Sequence, residues 1–104
     1  MKTFAAITGV GAYVPDYILT NDELSRMVDT NDEWITTRVG IKERRILKDP
    51  DKATGYLATM AVKDLIQRTG VDPLSIDMLI LATVSPDMLV PATATSVAID
   101  AGLT

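Results

Sequence analysis

An α/β fold, with helices covering a sheet, is predicted by three features of this 104-residue sequence. Two apolar runs rich in β-branched residues, 3–14 and 77–84, read as strands buried on both faces. Around them lie stretches with apolar residues three and four apart, the longest over 54–70. These stretches open on a polar capping residue or a proline, and three of them close on glycine. Two strong strands are too few to complete such a sheet. Residues 1–104 are therefore expected to form a single, incomplete domain.

The first run, Thr-Phe-Ala-Ala-Ile-Thr-Gly-Val-Gly-Ala-Tyr-Val, stops at Pro15. Gly9 and Gly11 are spaced like the first two glycines of a dinucleotide-binding loop, but the third would fall at Val14, with a proline next and no helix. They read instead as places where a neighbouring backbone or side chain comes close. Thr20-Asn-Asp-Glu23 is a capping box, with Leu19 and Leu24 at the staple positions. A helix ending near Asp29 should follow, with Leu24, Met27 and Val28 along its inner stripe. The same four residues recur at Thr30-Asn-Asp-Glu33, too short a period for a solenoid, so a second capped helix is expected. Asp32 and Glu33 suit the dipole of its first turn, and Gly40 suits a left-handed end.

Residues 41–45 alternate like a strand, and Lys48 to Lys52 read as a turn around Asp-Pro-Asp. Thr54 caps the long helix, Ala58, Ala61, Val62, Leu65 and Ile66 form its inner face, and Gly70 stops it. Asp72-Pro73 supports one further turn. Ser85-Pro86-Asp87 ends the second strand, and Pro91 opens a last helix with a small-residue stripe of Ala94, Val97, Ala98 and Ala101 before Gly102.

Composition limits function. A chain of this length can bury roughly two-thirds of its unfolded surface, and 47% hydrophobic with 23% charged residues is ordinary for a globular protein. With no cysteine and no histidine, a triad hydrolase, a zinc site built on those ligands or a cysteine-dependent acyl transferase cannot be complete within these residues. The pI of about 4.6 argues against broad attraction to nucleic acid. No run approaches the ~18 apolar residues of a membrane span, and the N-terminal apolar run is too short for a secretory signal, so a cytoplasmic location is expected.

Residues 30–45 concentrate the chemistry. They hold the only tryptophan, and five of the ten basic residues, Arg38, Lys42, Arg44, Arg45 and Lys48, fall within eleven positions. Trp34 and Arg38 share a helix face at i, i+4. Residue types alone favour burial of Trp34, with Arg38 paired to Asp32 or Glu33. The other reading is an aromatic plane and a cation sharing an edge, able to stack a purine and hold a phosphate. Arg44 and Arg45 suit either a solvated loop or an anion site.

Gly-Val-Gly-Ala-Tyr-Val-Pro (9–15), Thr-Asn-Asp-Glu-Leu (20–24), Asp-Thr-Asn-Asp-Glu-Trp-Ile (29–35), Arg-Val-Gly-Ile-Lys-Glu-Arg (38–44) and Leu-Ala-Thr-Val-Ser-Pro-Asp (81–87) occur in this order. Together they resemble the N-terminal part of the 3-oxoacyl-[acyl-carrier-protein] synthase III family. The resemblance implies part of a thiolase-like fold, with layers of helix, sheet and helix. It also implies a homodimeric, cytoplasmic acyltransferase that starts fatty-acid synthesis by joining an acyl-CoA with malonyl-acyl carrier protein and releasing CO2. No permanently bound cofactor is implied; the coenzyme A thioester is a substrate. Trp34 corresponds to the residue that stacks on the adenine, Arg38 to one reaching the phosphate and pantetheine region, and Thr30 to a further contact. Val90 corresponds to a position, often phenylalanine, that shapes the partner subunit's acyl pocket; valine leaves room for more than acetyl.

The family's nucleophilic cysteine, histidine and asparagine have no counterpart within residues 1–104. No catalytic residue is therefore expected in this chain, which is read as a truncated or cleaved piece, inert in condensation without the remainder of the enzyme. Two alternatives stay open: another thiolase-fold acyl-CoA condensing enzyme, and a non-catalytic anion-binding module.

Overall fold

In the computed structural model, which describes residues 1–104, two compact units form: Val14–Pro50, and Met1–Tyr13 together with Asp51–Thr104.

The first unit is a short antiparallel pair of strands carrying two helices. Strand β1 (Tyr17–Thr20) pairs with β2 (Glu43–Ile46) in the register Tyr17 to Ile46 and Thr20 to Glu43. The alternation from residue 41 thus marks a real strand, while β1 is a strand the sequence reading missed. It lies beyond Pro15, which ends the apolar run. Helix α1 (Asn21–Ser25) starts as expected, with the Thr20 hydroxyl accepting the Glu23 amide at 3.2 Å. The Glu23 carboxylate accepts the Tyr17 hydroxyl and so ties the helix to β1. The helix ends at Ser25, not near Asp29, and Met27 and Val28 are exposed instead of extending an inner stripe. One and a half turns bury too little to propagate further.

Helix α2 (Asp32–Val39) is capped by Asn31, not Thr30: the Asn31 side chain accepts the Trp34 amide at 2.8 Å. An asparagine carbonyl competes well with a threonine hydroxyl for this role, so the cap moves one residue along. Gly40 ends the helix at φ 72°, the left-handed region that a Cβ penalises. Among the α2 residues only Ile35 is buried.

The second unit is built on α3 (Thr54–Thr69) and α4 (Thr93–Asp100), which pack together. The small-residue stripe of α4 behaves as expected: Val97 and Ala101 are buried, and Ala94 and Ala98 half-buried. Its helical turns begin at Thr93, two residues past Pro91. On α3 the N-cap is Ala53, and Thr54 sends its hydroxyl to the Ser85 carbonyl at 2.7 Å. Gly55 and Thr59 are its buried positions, while the predicted inner face of Ala58, Ala61, Val62, Leu65 and Ile66 is half-buried. Asp72 caps a single 3-10 turn, Pro73–Ser75, accepting the Leu74 amide at 3.0 Å.

Neither apolar run forms a ladder, and neither is buried on both faces. Phe4, Ile7 and Val10 are exposed, as are Met78, Ile80 and Val84. Along 77–84 exposure alternates, with Leu79 and Leu81 half-buried and Met78, Ile80 and Ala82 facing out. That period of two is a strand's, so the segment has the pattern of a strand without its neighbours. Burial on both faces needs flanking strands and a second helix layer, and the 104 residues hold only the β1–β2 pair. The close approach foreseen for the glycines is present. A Cβ on Gly11 would lie 2.5 Å from the Leu65 backbone nitrogen and 2.7 Å from the Ala61 carbonyl oxygen, so the first run lies directly on α3.

Candidate functional site

Helix α2 faces solvent over most of its surface, and this decides the status of Trp34. The indole is 56% exposed, so the burial favoured by residue type does not occur. The Arg38 guanidinium carbon lies 5.5 Å from the ring centroid, inside the range of a cation–π contact. Asp32, offered as its ion partner, is engaged elsewhere: its Oδ1 accepts from the Asn21 side chain at 2.8 Å and from the Thr36 hydroxyl at 3.3 Å.

Two open grooves share the Trp34 side chain. One, of about 350 Å³, is lined by Asn31, Glu33, Trp34, Thr37 and Arg38. The other, of about 280 Å³, is lined by Asp29, Thr30, Asn31 and Trp34. Thr30, Trp34 and Arg38, singled out separately in the sequence, thus border one continuous piece of surface. The site offers a wide aromatic plane, one permanent cation, the Thr30 hydroxyl and four polar neighbours, Asp29, Asn31, Glu33 and Thr37. Such a surface can stack a heteroaromatic ring and hold an anion at its edge.

The cationic run is less of a grip than its spacing suggested. Arg44 donates to the Asn21 side-chain oxygen at 2.7 Å and to the Leu19 carbonyl at 3.3 Å. Arg45 donates to the Pro15 carbonyl at 2.8 Å, and the Lys48 ammonium sits 3.6 Å from the Tyr17 ring centroid. Three of the five cations therefore fasten the strand pair, and of the five only Arg38 lines either groove. These partners lie 23 to 31 residues away in sequence, and local spacing carries no trace of them.

Val90 belongs to the other unit. It is 83% exposed and precedes a cis proline, in the turn that leads to α4. That turn is pinned at both ends. The Asp87 carboxylate accepts the Gly55 amide at the start of α3 at 3.0 and 3.1 Å, and the Asp87 amide donates to the Thr93 hydroxyl at 3.0 Å. Nothing in residue types alone distinguishes this Asp87 cap from an ordinary turn aspartate. Asp64, on α3, is held by two donors. The Ala12 amide, at 2.9 Å, and then the Arg68 guanidinium, at 2.8 Å, hold its pKa below the ordinary carboxylate value.

Against curated proteins, the chain is 61% identical over 101 residues to a beta-ketoacyl-[acyl-carrier-protein] synthase III of Porphyromonas gingivalis, an alignment covering 97% of this chain and 30% of that protein. The crystal structure of 3-oxoacyl-[acyl-carrier-protein] synthase III from Aquifex aeolicus matches at a TM-score of 0.85 and 44% identity, over 92% of this chain and 30% of that one. Over nearly its whole length the chain is similar to part of these synthase III proteins. It spans about 30% of the length of the curated relatives it matches, and its mixed helix and sheet structure is part of the thiolase-type fold. A priming beta-ketosynthase of a polyketide biosynthetic pathway also matches, at a TM-score of 0.83 and 33% identity, over 91% of this chain and 28% of that one. No family model matches the chain. No helix is long and apolar enough to cross a membrane.

Proposed function

We propose that residues 1–104 are the N-terminal part of one larger catalytic domain, and that they supply the adenine end of its coenzyme A site. The observation that carries this reading is the half-exposed Trp34 with Arg38 beside it, bordered by two open grooves. A large aromatic ring left half in water gains when a flat ligand covers it, and Trp34 is open to one. Trp34 stacks on the adenine, Arg38 meets the phosphate and pantetheine region, and Thr30 contributes a further contact.

The complete enzyme, on this reading, is a cytoplasmic homodimer. It carries out a decarboxylating condensation that starts fatty-acid synthesis. An acyl group passes from coenzyme A to a cysteine thiolate, releasing the coenzyme thiol. Malonyl-acyl carrier protein then loses CO2, and its enolate carbon attacks the acyl-cysteine carbonyl, expelling the thiolate and leaving a 3-oxoacyl thioester. The cysteine, and the histidine and asparagine that stabilise the enolate oxygen, lie outside these residues. The chain alone is accordingly inert. Val90, a small residue on a pinned turn, shapes the partner subunit's acyl pocket and admits chains larger than acetyl.

A second reading keeps the coenzyme A site and changes the product. Similarity to a polyketide priming synthase supports a condensing enzyme that loads a different starter. Product analysis with several acyl-CoA donors separates the two. Loss of coenzyme A binding in Trp34→Ala and Arg38→Ala of the complete enzyme is expected on both, and binding unchanged in both variants would remove the adenine site altogether.

A further inference from the structure

Helix α2 carries the proposed adenine site, yet its own packing is poor. Among its eight residues only Ile35 is buried, and an isolated helix of this length is marginal in water. One apolar contact fixes neither the rotation nor the pitch of the helix. The polar side chain at its base is better held than anything in its apolar contact. Asn21 is 2% exposed, and its carboxamide uses both functional ends. Its amide nitrogen donates to Asp32 Oδ1 at 2.8 Å and to the Ile41 carbonyl at 2.8 Å, while its oxygen accepts Arg44 Nη2 at 2.7 Å. The Asn21 backbone amide adds a bond to the Lys42 carbonyl at 3.2 Å.

These bonds reach both ends of α2. Asp32 is its first residue, and Ile41 follows the glycine that ends it. Arg44, in turn, belongs to β2 and also donates to the Leu19 carbonyl of β1. A carboxamide is suited to this position because it alone among small side chains offers two donors and an acceptor without charge. We infer that Asn21 is a positioning residue for the coenzyme site: it clamps both ends of α2 to the strand pair and so sets where Trp34 and Arg38 stand. The inference rests on the adenine-site reading for its functional consequence, and on geometry alone for the clamp.

The test uses Asn21→Ala and Asp32→Ala in the complete enzyme, with Trp34→Ala alongside. Asp32 is exposed, so its removal opens one arm of the clamp without excavating the interior. Hydrogen exchange of the amides at 32–40 reads the clamp directly, with those of α3 as internal control. Faster exchange in α2 alone is expected for both clamp variants. The second readout is kinetic, comparing an acyl-CoA with the matching acyl-pantetheine thioester, which lacks the nucleotide. A displaced Trp34 should raise KM for the acyl-CoA about tenfold while kcat and turnover of the acyl-pantetheine stay within about twofold.

Unchanged exchange in α2 overturns the clamp. Faster exchange with an unchanged KM, where Trp34→Ala raises it, overturns the positioning role. An equal loss on both thioesters shows a residue that merely holds the fold and overturns it too. If Trp34→Ala leaves KM unchanged, the adenine-site reading fails, and the clamp then stands or falls on the exchange data alone.

Discussion

Replacing Trp34 by alanine removes the one large plane exposed on α2, and the structure bounds the result from two sides. The indole is 56% exposed, so its loss opens no interior cavity, and the effect on stability should stay within about 0.5 kcal/mol, as for other surface substitutions. Stacking a base on an aromatic side chain is worth about 1–3 kcal/mol, which corresponds to roughly 5- to 150-fold in Kd. The cation–π contact with Arg38 lies within the protein and orients the guanidinium beside the indole, so it does not add to the change in Kd. Isothermal titration of the complete enzyme with coenzyme A reads the change. Trp34→Phe, which keeps a smaller plane, should fall between wild type and alanine. Arg38→Ala should weaken binding more at low ionic strength than at high, because its contact with phosphate is screened. A Kd for Trp34→Ala within twofold of wild type, in a protein with unchanged melting temperature, refutes the reasoning.

Three further outcomes concern the scaffold. Gly11→Ala should destabilise the protein by about 1–3 kcal/mol in denaturant titrations, since its Cβ meets the Leu65 and Ala61 backbone, whereas Gly40→Ala should cost only about 1 kcal/mol of backbone strain, nothing lying within 4 Å of its Cβ. Arg44→Met should cost about 1–3 kcal/mol, because the Asn21 oxygen and the Leu19 carbonyl both lose a donor. Asp64 has a folded pKa below the ordinary 3.8, so its stabilising contribution is complete above that pH and disappears as pH falls through the folded value. Asp64→Asn should accordingly narrow the difference between denaturation midpoints measured above and below pH 3.8; an unchanged difference speaks against the bonds from Ala12 and Arg68.

The parts legible in the sequence are those specified locally. Gly40 and Gly70 end their helices, Thr20 and Asp72 cap their turns, and the alanine stripe of α4 packs inward, each because the signal and the structure lie within a few residues of one another. The failures have a different cause. Burial of Trp34 was argued from what tryptophans do on average, but α2 turns Ile35 inward and leaves the indole outside. Arg44 was read from a charge run, although its role is set by Asn21, 23 positions away. The two long apolar runs have strand composition, and strands need neighbours. Residues 3–14 and 77–84 leave Phe4, Ile7, Met78 and Ile80 exposed in a chain spanning about 30% of its relatives' length. Sequence order succeeded where local pattern did not: five short segments carried the family resemblance, and the identity of 61% over 101 residues supports it independently.

On the proposed function, this chain forms part of an enzyme that draws its acyl group from coenzyme A. The most direct measurement is mass spectrometry of the carrier-protein products after the complete enzyme is supplied with an acyl-CoA carrying a labelled acyl group and with malonyl-acyl carrier protein. The expected product is a 3-oxoacyl-acyl carrier protein that contains the labelled acyl group and has lost the malonyl carboxyl as CO2. Unlabelled or unextended carrier protein, from an enzyme that condenses when given an acyl donor without coenzyme A, would contradict the proposed function.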